Sequence, residues 1–141
     1  YYVAHLGRPY LHSDLKTIGL GQKTWEIWYG LQANPPGTPD LMLCDTDWTV
    51  LQIWEQYRFR QTHDFAWEVG YGTPENADLY LLCLPDFPWT PDPLREHPEE
   101  RDILFRLYEN LLRSREANFV TLSGNPDTRL QNALAAIRKL F

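Results

Sequence analysis

The stretch Leu41-Met42-Leu43-Cys44-Asp45-Thr46-Asp47, continuing as Trp48-Thr49-Val50-Leu51-Gln52-Ile53-Trp54-Glu55-Gln56-Tyr57-Arg58-Phe59, changes its period partway along. Its first four residues are a continuous apolar run, the pattern of a short strand buried on both faces. Asp45 to Asp47 closes that run. From Trp48 to about Phe59 apolar groups recur at helical spacing (Leu51, Trp54, Tyr57), so a strand is expected to feed a helix.

The same grammar appears on either side. Upstream, Ser13 is placed to cap a helix from about Asp14 to Leu31, with Leu15, Ile18, Trp25, Ile27 and Trp28 as a broad apolar stripe. Asn34-Pro35-Pro36-Gly37-Thr38-Pro39 ends it. Downstream, Leu79-Tyr80-Leu81-Leu82-Cys83 reads as a strand. A proline-rich loop from Pro85 to Pro98 follows it, and a helix from Glu99 to about Glu116 carries Ile103, Leu104, Leu107, Leu111 and Leu112, with Pro98 at its first turn. Phe119-Val120-Thr121-Leu122 is the next strand. Asn125 and Pro126 supply an N-cap and first helical position for a last helix ending near Leu140. Alternating strands and helices predict a parallel sheet covered by helices on both faces. Such sheets place ligands beyond the carboxyl ends of their strands. Attention therefore falls on Asp45 to Asp47, Pro85 to Arg101 and Ser123 to Asn125.

A chain of 141 residues with 43% hydrophobic and 14% aromatic content suits one domain with a real core. The net charge of −6 and pI near 5.1 argue against sequence-independent nucleic-acid binding and toward a small-molecule partner. Cys44 and Cys83 each close an apolar run without CxxC spacing, so both are expected to be buried free thiols in a reducing compartment. With no membrane-length apolar run and no signal-peptide pattern, a cytoplasmic location is expected. The opening Tyr1-Tyr2, without an initiator Met, looks like the start of a fragment.

An apolar strand that ends in an aspartate is the arrangement in which a carboxylate holds Mg²⁺ beside phosphates. Asp45 fits it, whereas Asp47 or Thr46 could instead cap the following helix. A phosphate-binding loop needs GxxxxGK[ST], and Gly19-Leu20-Gly21-Gln22-Lys23-Thr24 fails: Gln22 interrupts the Gly-Lys pair, and the segment lies inside an expected helix. Between Phe87 and Arg95, with Arg101 on the next helix, the chain has the makings of a lid that carries guanidinium groups over a phosphoryl group. A proline-stiffened surface loop with solvated arginines fits the same residues. Among six tryptophans, mostly expected in the core, Trp48 and Trp89 lie on loops at the expected active edge. His5, His12, His63 and His97 show no metal-ligand spacing and no paired nucleophile.

In chain order, His12-Ser13-Asp14-Leu15 with Ile18-Gly19-Leu20-Gly21-Gln22, Leu43-Cys44-Asp45-Thr46-Asp47, Asp78-Leu79-Tyr80-Leu81-Leu82, and Pro88-Trp89 through Leu94-Arg95 resemble the nicotinamide riboside kinase domain of NadR-type proteins. The resemblance runs from the first helix to the last. It implies a three-layer P-loop NTPase fold of the nucleoside-kinase kind over residues 1–141, with a lid at 85–101. It implies ATP and Mg²⁺ as cofactors, and phosphoryl transfer to the ribose 5′-hydroxyl of nicotinamide riboside in NAD salvage. Asp45 would be the Mg²⁺-side carboxylate, and Arg95 and Arg101 the lid arginines. Asp47 would serve metal or ribose, Gln22, Trp48, Trp89 and Asp92 would face the substrate, and Asn125 with Arg95 would lie near the nucleotide. Two departures stand out. The family's phosphate-binding loop would precede Tyr1, so the polypeptide as written is expected not to transfer phosphate. Pro93 replaces the usual glycine of Asp-Gly-Leu-Arg, which fixes φ in the lid. The rival expectation is a non-catalytic nucleotide-binding module serving a fused or partner domain, and a third is a kinase for another nucleoside or small alcohol.

Overall fold

A computed structural model of the chain describes residues 5–32, 41–61, 77–88 and 98–141. The chain divides into two compact units, Tyr1–Pro74 and Glu75–Phe141.

In the first unit, helix α1 spans His12–Gly30 and helix α2 spans Trp48–Phe59. The start of α1 is set by Asp14 rather than by Ser13. The buried Asp14 carboxylate accepts the Leu11 backbone N–H at 2.7 Å, and the Arg8 guanidinium donates to both of its oxygens at 2.7 and 3.0 Å. Charge-assisted, bidentate bonds of this kind outcompete a lone serine hydroxyl, and Ser13 lies within the first turn. The helix α2 begins at Asp47, whose carboxylate accepts the Thr49 N–H and the Thr49 hydroxyl, both at 3.0 Å. Arg60, at φ 54°, ends it in the left-handed conformation.

The two helices meet where Leu15 and Leu51 are buried, ringed by Tyr10, Ile18, Trp48 and Phe59. Gly19 makes this approach possible, because a Cβ there would stand 2.7 Å from the Trp48 ring and 3.1 Å from Leu51 Cδ1. On α2, Thr49 and Ile53 share one buried row, and Leu51 and Glu55 another, each pair one turn apart.

Two expectations fail in this unit. Residues 41–44 form no strand and are exposed, Leu43 to 72%. A doubly buried strand needs hydrogen-bonded neighbours, and among the described residues of this unit there is no strand for it to pair with. The apolar stripe of α1 is buried at Leu15, half-buried at Ile18 and then breaks down, for Trp25 is 60% and Trp28 50% exposed. Only the N-terminal turns of α1 reach the Leu15–Leu51 core, so periodicity that suited a core helix instead produces an aromatic surface.

In the second unit, strand β1 (Tyr80–Cys83) leads through a 3₁₀ turn (Pro98–Glu100) to helix α3 (Arg101–Ser114). Strand β2 (Phe119–Leu122), helix α4 (Pro126–Ile137) and a final 3₁₀ turn (Arg138–Leu140) complete it. The strands pair in parallel, Tyr80 opposite Phe119 and Cys83 opposite Leu122. The Leu84 N–H extends the ladder to Leu122 O at 2.8 Å. Parallel strands need a crossover, and α3 supplies it, packing on β1 while α4 packs on β2. Among the described residues of this unit, Leu112, Leu122, Ala133 and Ala136 are the buried apolar ones. Asn125 caps α4 as its sequence predicts, accepting the Thr128 N–H at 2.8 Å, with Pro126 in the first turn. The parallel pairing agrees with an α/β fold, and two strands are too few to display three layers.

Both cysteines are free but exposed, which corrects the expectation of burial. Cys44 lies in the unpaired 41–44 run and Cys83 at the outward-facing end of β1. No described helix is long and apolar enough to cross a membrane.

Candidate functional site

Within the first unit, the C-terminal half of α1 and the segment from Leu41 to Thr46 line a cavity of about 660 Å³ that is open to solvent. One wall is aromatic and apolar, with Trp25, Tyr29 and Met42, and its polar side chains include Gln22, Glu26, Gln32, Asp45 and Thr46. The rings are mutually braced: Trp25 stacks on Tyr29 at 5.7 Å, and Trp28 meets Tyr29 edge-on at 4.9 Å. Both charged residues of the lining are acidic, and Lys23, just outside it, is paired with Glu26 at 3.3 Å. Partial desolvation, then the negative charges of Glu26 and Asp47, push the Cys44 thiol above its ordinary pKa. The Asp45 carboxylate is exposed to the cavity, and among the described residues it has no hydrogen-bond or ion-pair partner.

Thr46 adopts φ 71°, a left-handed backbone that β-branched residues rarely take. Its hydroxyl accepts the Gln22 Nε2 donor at 2.9 Å, while Gln22 Oε1 is buried with no hydrogen-bond partner among the described residues. The Gly19–Thr24 segment lies wholly within α1, so its backbone N–H groups serve the helix and not a phosphate.

Of the residues singled out by sequence, Gln22 and Asp45 come together in this cavity. Asp47 is committed to capping α2, and Trp48 packs over Gly19. In the second unit, Arg101 donates to Phe87 O at 3.0 Å, and Asn125 caps α4. Trp89, Asp92 and Arg95 lie outside the described residues, with Pro93 and most of the expected lid.

Sequence reasoning missed two constellations. The first is His12 Nε2 bonded at 2.7 Å to Oε1 of Glu55, a carboxylate that is fully buried. Its position one turn after Leu51 was the available signal, since an acid on a core row must find a partner. The second gathers at the carboxyl ends of β1 and β2. Asp86 accepts the Gly124 N–H at 2.7 Å and pairs with Arg129. Arg129 also donates to Gly124 O at 2.8 Å and Leu84 O at 2.7 Å, and lies 5.0 Å over the Phe87 ring. The Gly124 N–H, seconded by the Arg129 charge, holds the Asp86 carboxyl below the usual carboxylate range.

A divalent cation needs oxygen ligands. No group of three or more His, Cys, Asp or Glu residues that could hold a metal occurs among the described residues. Mg²⁺ is commonly held by one or two carboxylates together with substrate phosphates and water, and the free Asp45 carboxylate suits that mode.

A family model described as an AAA domain matches residues 7–129. No curated protein and no solved structure matches the chain.

Proposed function

This chain belongs to the AAA-domain family, a nucleotide-binding P-loop NTPase type, and from that premise we propose that it phosphorylates a nucleoside with Mg-ATP, nicotinamide riboside being the favoured acceptor. The observation that carries the proposal is the acidic, aromatic cavity around Asp45. Glu26 and Asp45 repel a bare phosphate, so the cavity suits the acceptor rather than the triphosphate of ATP. A flat cationic ring gains from Trp25 and Tyr29 faces and from neighbouring carboxylates, which favours a pyridinium nucleoside over a neutral one.

Phosphoryl transfer asks the protein mainly for positioning and charge neutralisation. In this proposal Asp45 holds the cation from the cavity side, and the cation offsets charge on the transferring group. Gln22 orients the acceptor, and Asp47 and Trp48 act from beneath, fixing the loop to α2 and α1. By the resemblance to nicotinamide riboside kinases, Arg101 is assigned to the lid and Asn125 to the nucleotide, and, from outside the described residues, Arg95 to both and Trp89 and Asp92 to the substrate. The three-layer sheet belongs to the same proposal.

The test is coupled ADP release by the full-length natural protein with Mg-ATP, comparing nicotinamide riboside with ordinary nucleosides. Selective turnover of nicotinamide riboside is expected. Turnover with another nucleoside moves only the acceptor, and tight ATP binding without turnover favours a non-catalytic nucleotide-binding module.

A further inference from the structure

Gln22, Trp25, Glu26 and Tyr29 line the cavity together, and their spacing of i, i+3, i+4 and i+7 is one face of a helix. Glu26 is therefore a surface neighbour of Tyr29, on the face where the Trp25 and Tyr29 rings stack at 5.7 Å with their planes 27° apart. Its side chain keeps 25% exposure, so the carboxylate is within reach of a ligand. Its negative charge also acts on Cys44, in the wall formed by the 41–46 segment.

Among the described residues Glu26 has one counter-ion, Lys23, and the pair is loosely made. Their separation of 3.3 Å exceeds the about 2.7–2.9 Å of a charge-assisted hydrogen bond. Lysine preceding glutamate along a helix is also the weaker order of the two. Lys23 is 39% exposed, so its ammonium returns to water at little cost. An ammonium on a lysine stem is a compact, strongly hydrated charge. A cationic aromatic ring spreads its charge over a flat face and gains from Trp and Tyr faces as well as from a carboxylate.

We propose that Glu26 is the residue that reads the charge of the ligand's ring: it releases Lys23 and pairs with a permanently cationic aromatic ring, an N-substituted pyridinium, seated against Trp25 and Tyr29. Lys23 is then a built-in competitor for the carboxylate. A neutral ring of the same shape leaves the Lys23–Glu26 pair in place and gains only the stacking. That the ring belongs to a nucleoside rests on the function proposed above, whereas the exchange of Lys23 for a cation does not.

The test uses the full-length protein and two probes of nearly the same shape, 1-methylnicotinamide with its permanent charge and neutral nicotinamide. Ligand-observed NMR measures both affinities, since it reads millimolar binding. Wild type is expected to bind the cation about tenfold more tightly than the neutral ring, the effect of one ion pair near a protein surface. Glu26→Gln keeps the shape and the helix, and should remove that preference, leaving nicotinamide affinity within about twofold. Lys23→Gln frees the carboxylate, so affinity for the cation should rise about threefold, the worth of an exposed ion pair. Rising ionic strength should weaken cation binding more steeply in wild type than in Glu26→Gln. A merely structural role would lower affinity for both probes in both variants. A cation preference that survives Glu26→Gln, a loss of cation affinity in Lys23→Gln, or no binding of 1-methylnicotinamide to wild type overturns the proposal. If the exchange is seen while nicotinamide riboside gives no ADP release, the acceptor assignment falls and the charge reading stands. If nicotinamide riboside turns over equally well in wild type and Glu26→Gln, with no cation preference in either, the acceptor stands and the charge reading falls.

Discussion

The Asp45 loop and the Asp86 loop each follow an apolar run with an aspartate, and they treat that carboxylate in opposite ways. Asp86 is fully engaged by the Gly124 N–H and Arg129, and the left-handed position beside it, φ 89°, is taken by glycine, which adopts it without strain. Asp45 faces a cavity without a partner among the described residues, and the left-handed position beside it is taken by threonine. One loop is a finished piece of architecture, and the other holds strain and unmet hydrogen-bonding capacity. Polar groups left unsatisfied at a cost in stability point to binding, whereas saturated ones point to structure.

The sharpest way to break this contrast is Asp45→Asn in the full-length protein. It keeps the shape and removes the charge, so kcat is expected to drop by about 10²–10³-fold, the range seen when one electrostatic stabiliser is lost, with an unchanged denaturation midpoint. Near-normal turnover would leave the cavity without its cation ligand. Gly19→Ala attacks the support beneath the first loop. The added Cβ meets the Trp48 ring at 2.7 Å, so overpacking of about 1–3 kcal/mol should outweigh the ~1 kcal/mol that alanine adds to a helix. A net gain in stability would mean that Trp48 moves aside freely.

The two caps should behave alike even though the loops do not. Asp47→Ala and Asn125→Ala each remove one N-cap and should each lower stability by about 1 kcal/mol in urea titrations. A larger loss of turnover than of stability in Asp47→Ala would mean that the capping carboxylate also serves ligand or metal.

The smallest effect concerns Asp86. Its folded-state pKa is lowered, so its contribution to stability is present above the unfolded value of about 3.9 and is lost as pH falls through the folded value. Denaturation midpoints measured from about pH 5 downward should fall less steeply in Asp86→Asn than in wild type, and coincident curves would show that the Arg129 clamp contributes nothing.

Much of the second unit was legible in the sequence. Short apolar runs gave β1 and β2, and Asn125-Pro126 announced α4 through chemistry contained within two residues. Helix α2 likewise began and ended where its period predicted. The apolar run at 41–44 misled because apolarity reports a preference for burial and not the neighbour that a strand must pair with. Trp25 and Trp28 misled in a related way: their spacing was helical, but nothing in it showed where the core stops. For the site, an aspartate after an apolar run was visible, and so was the Gly-Leu-Gly-Gln segment that contributes Gln22. The strain at Thr46 was not, because it is a backbone angle. Nor were the pairings His12–Glu55 and Asp86–Arg129, each of which joins residues 43 positions apart.

The braced rings of α1 also give the molecule an optical signature. Trp25 and Trp28 lie 5.7 Å apart with their planes at 89°, so their excited states are coupled, and circular dichroism in the near ultraviolet should carry their joint band. Trp25 is 60% exposed and also lines the cavity, so a molecule entering there changes the polarity around one partner of the couple and leaves the other in water. Occupancy of the cavity should therefore be readable as a shift in tryptophan emission and a change in that band, with no label attached.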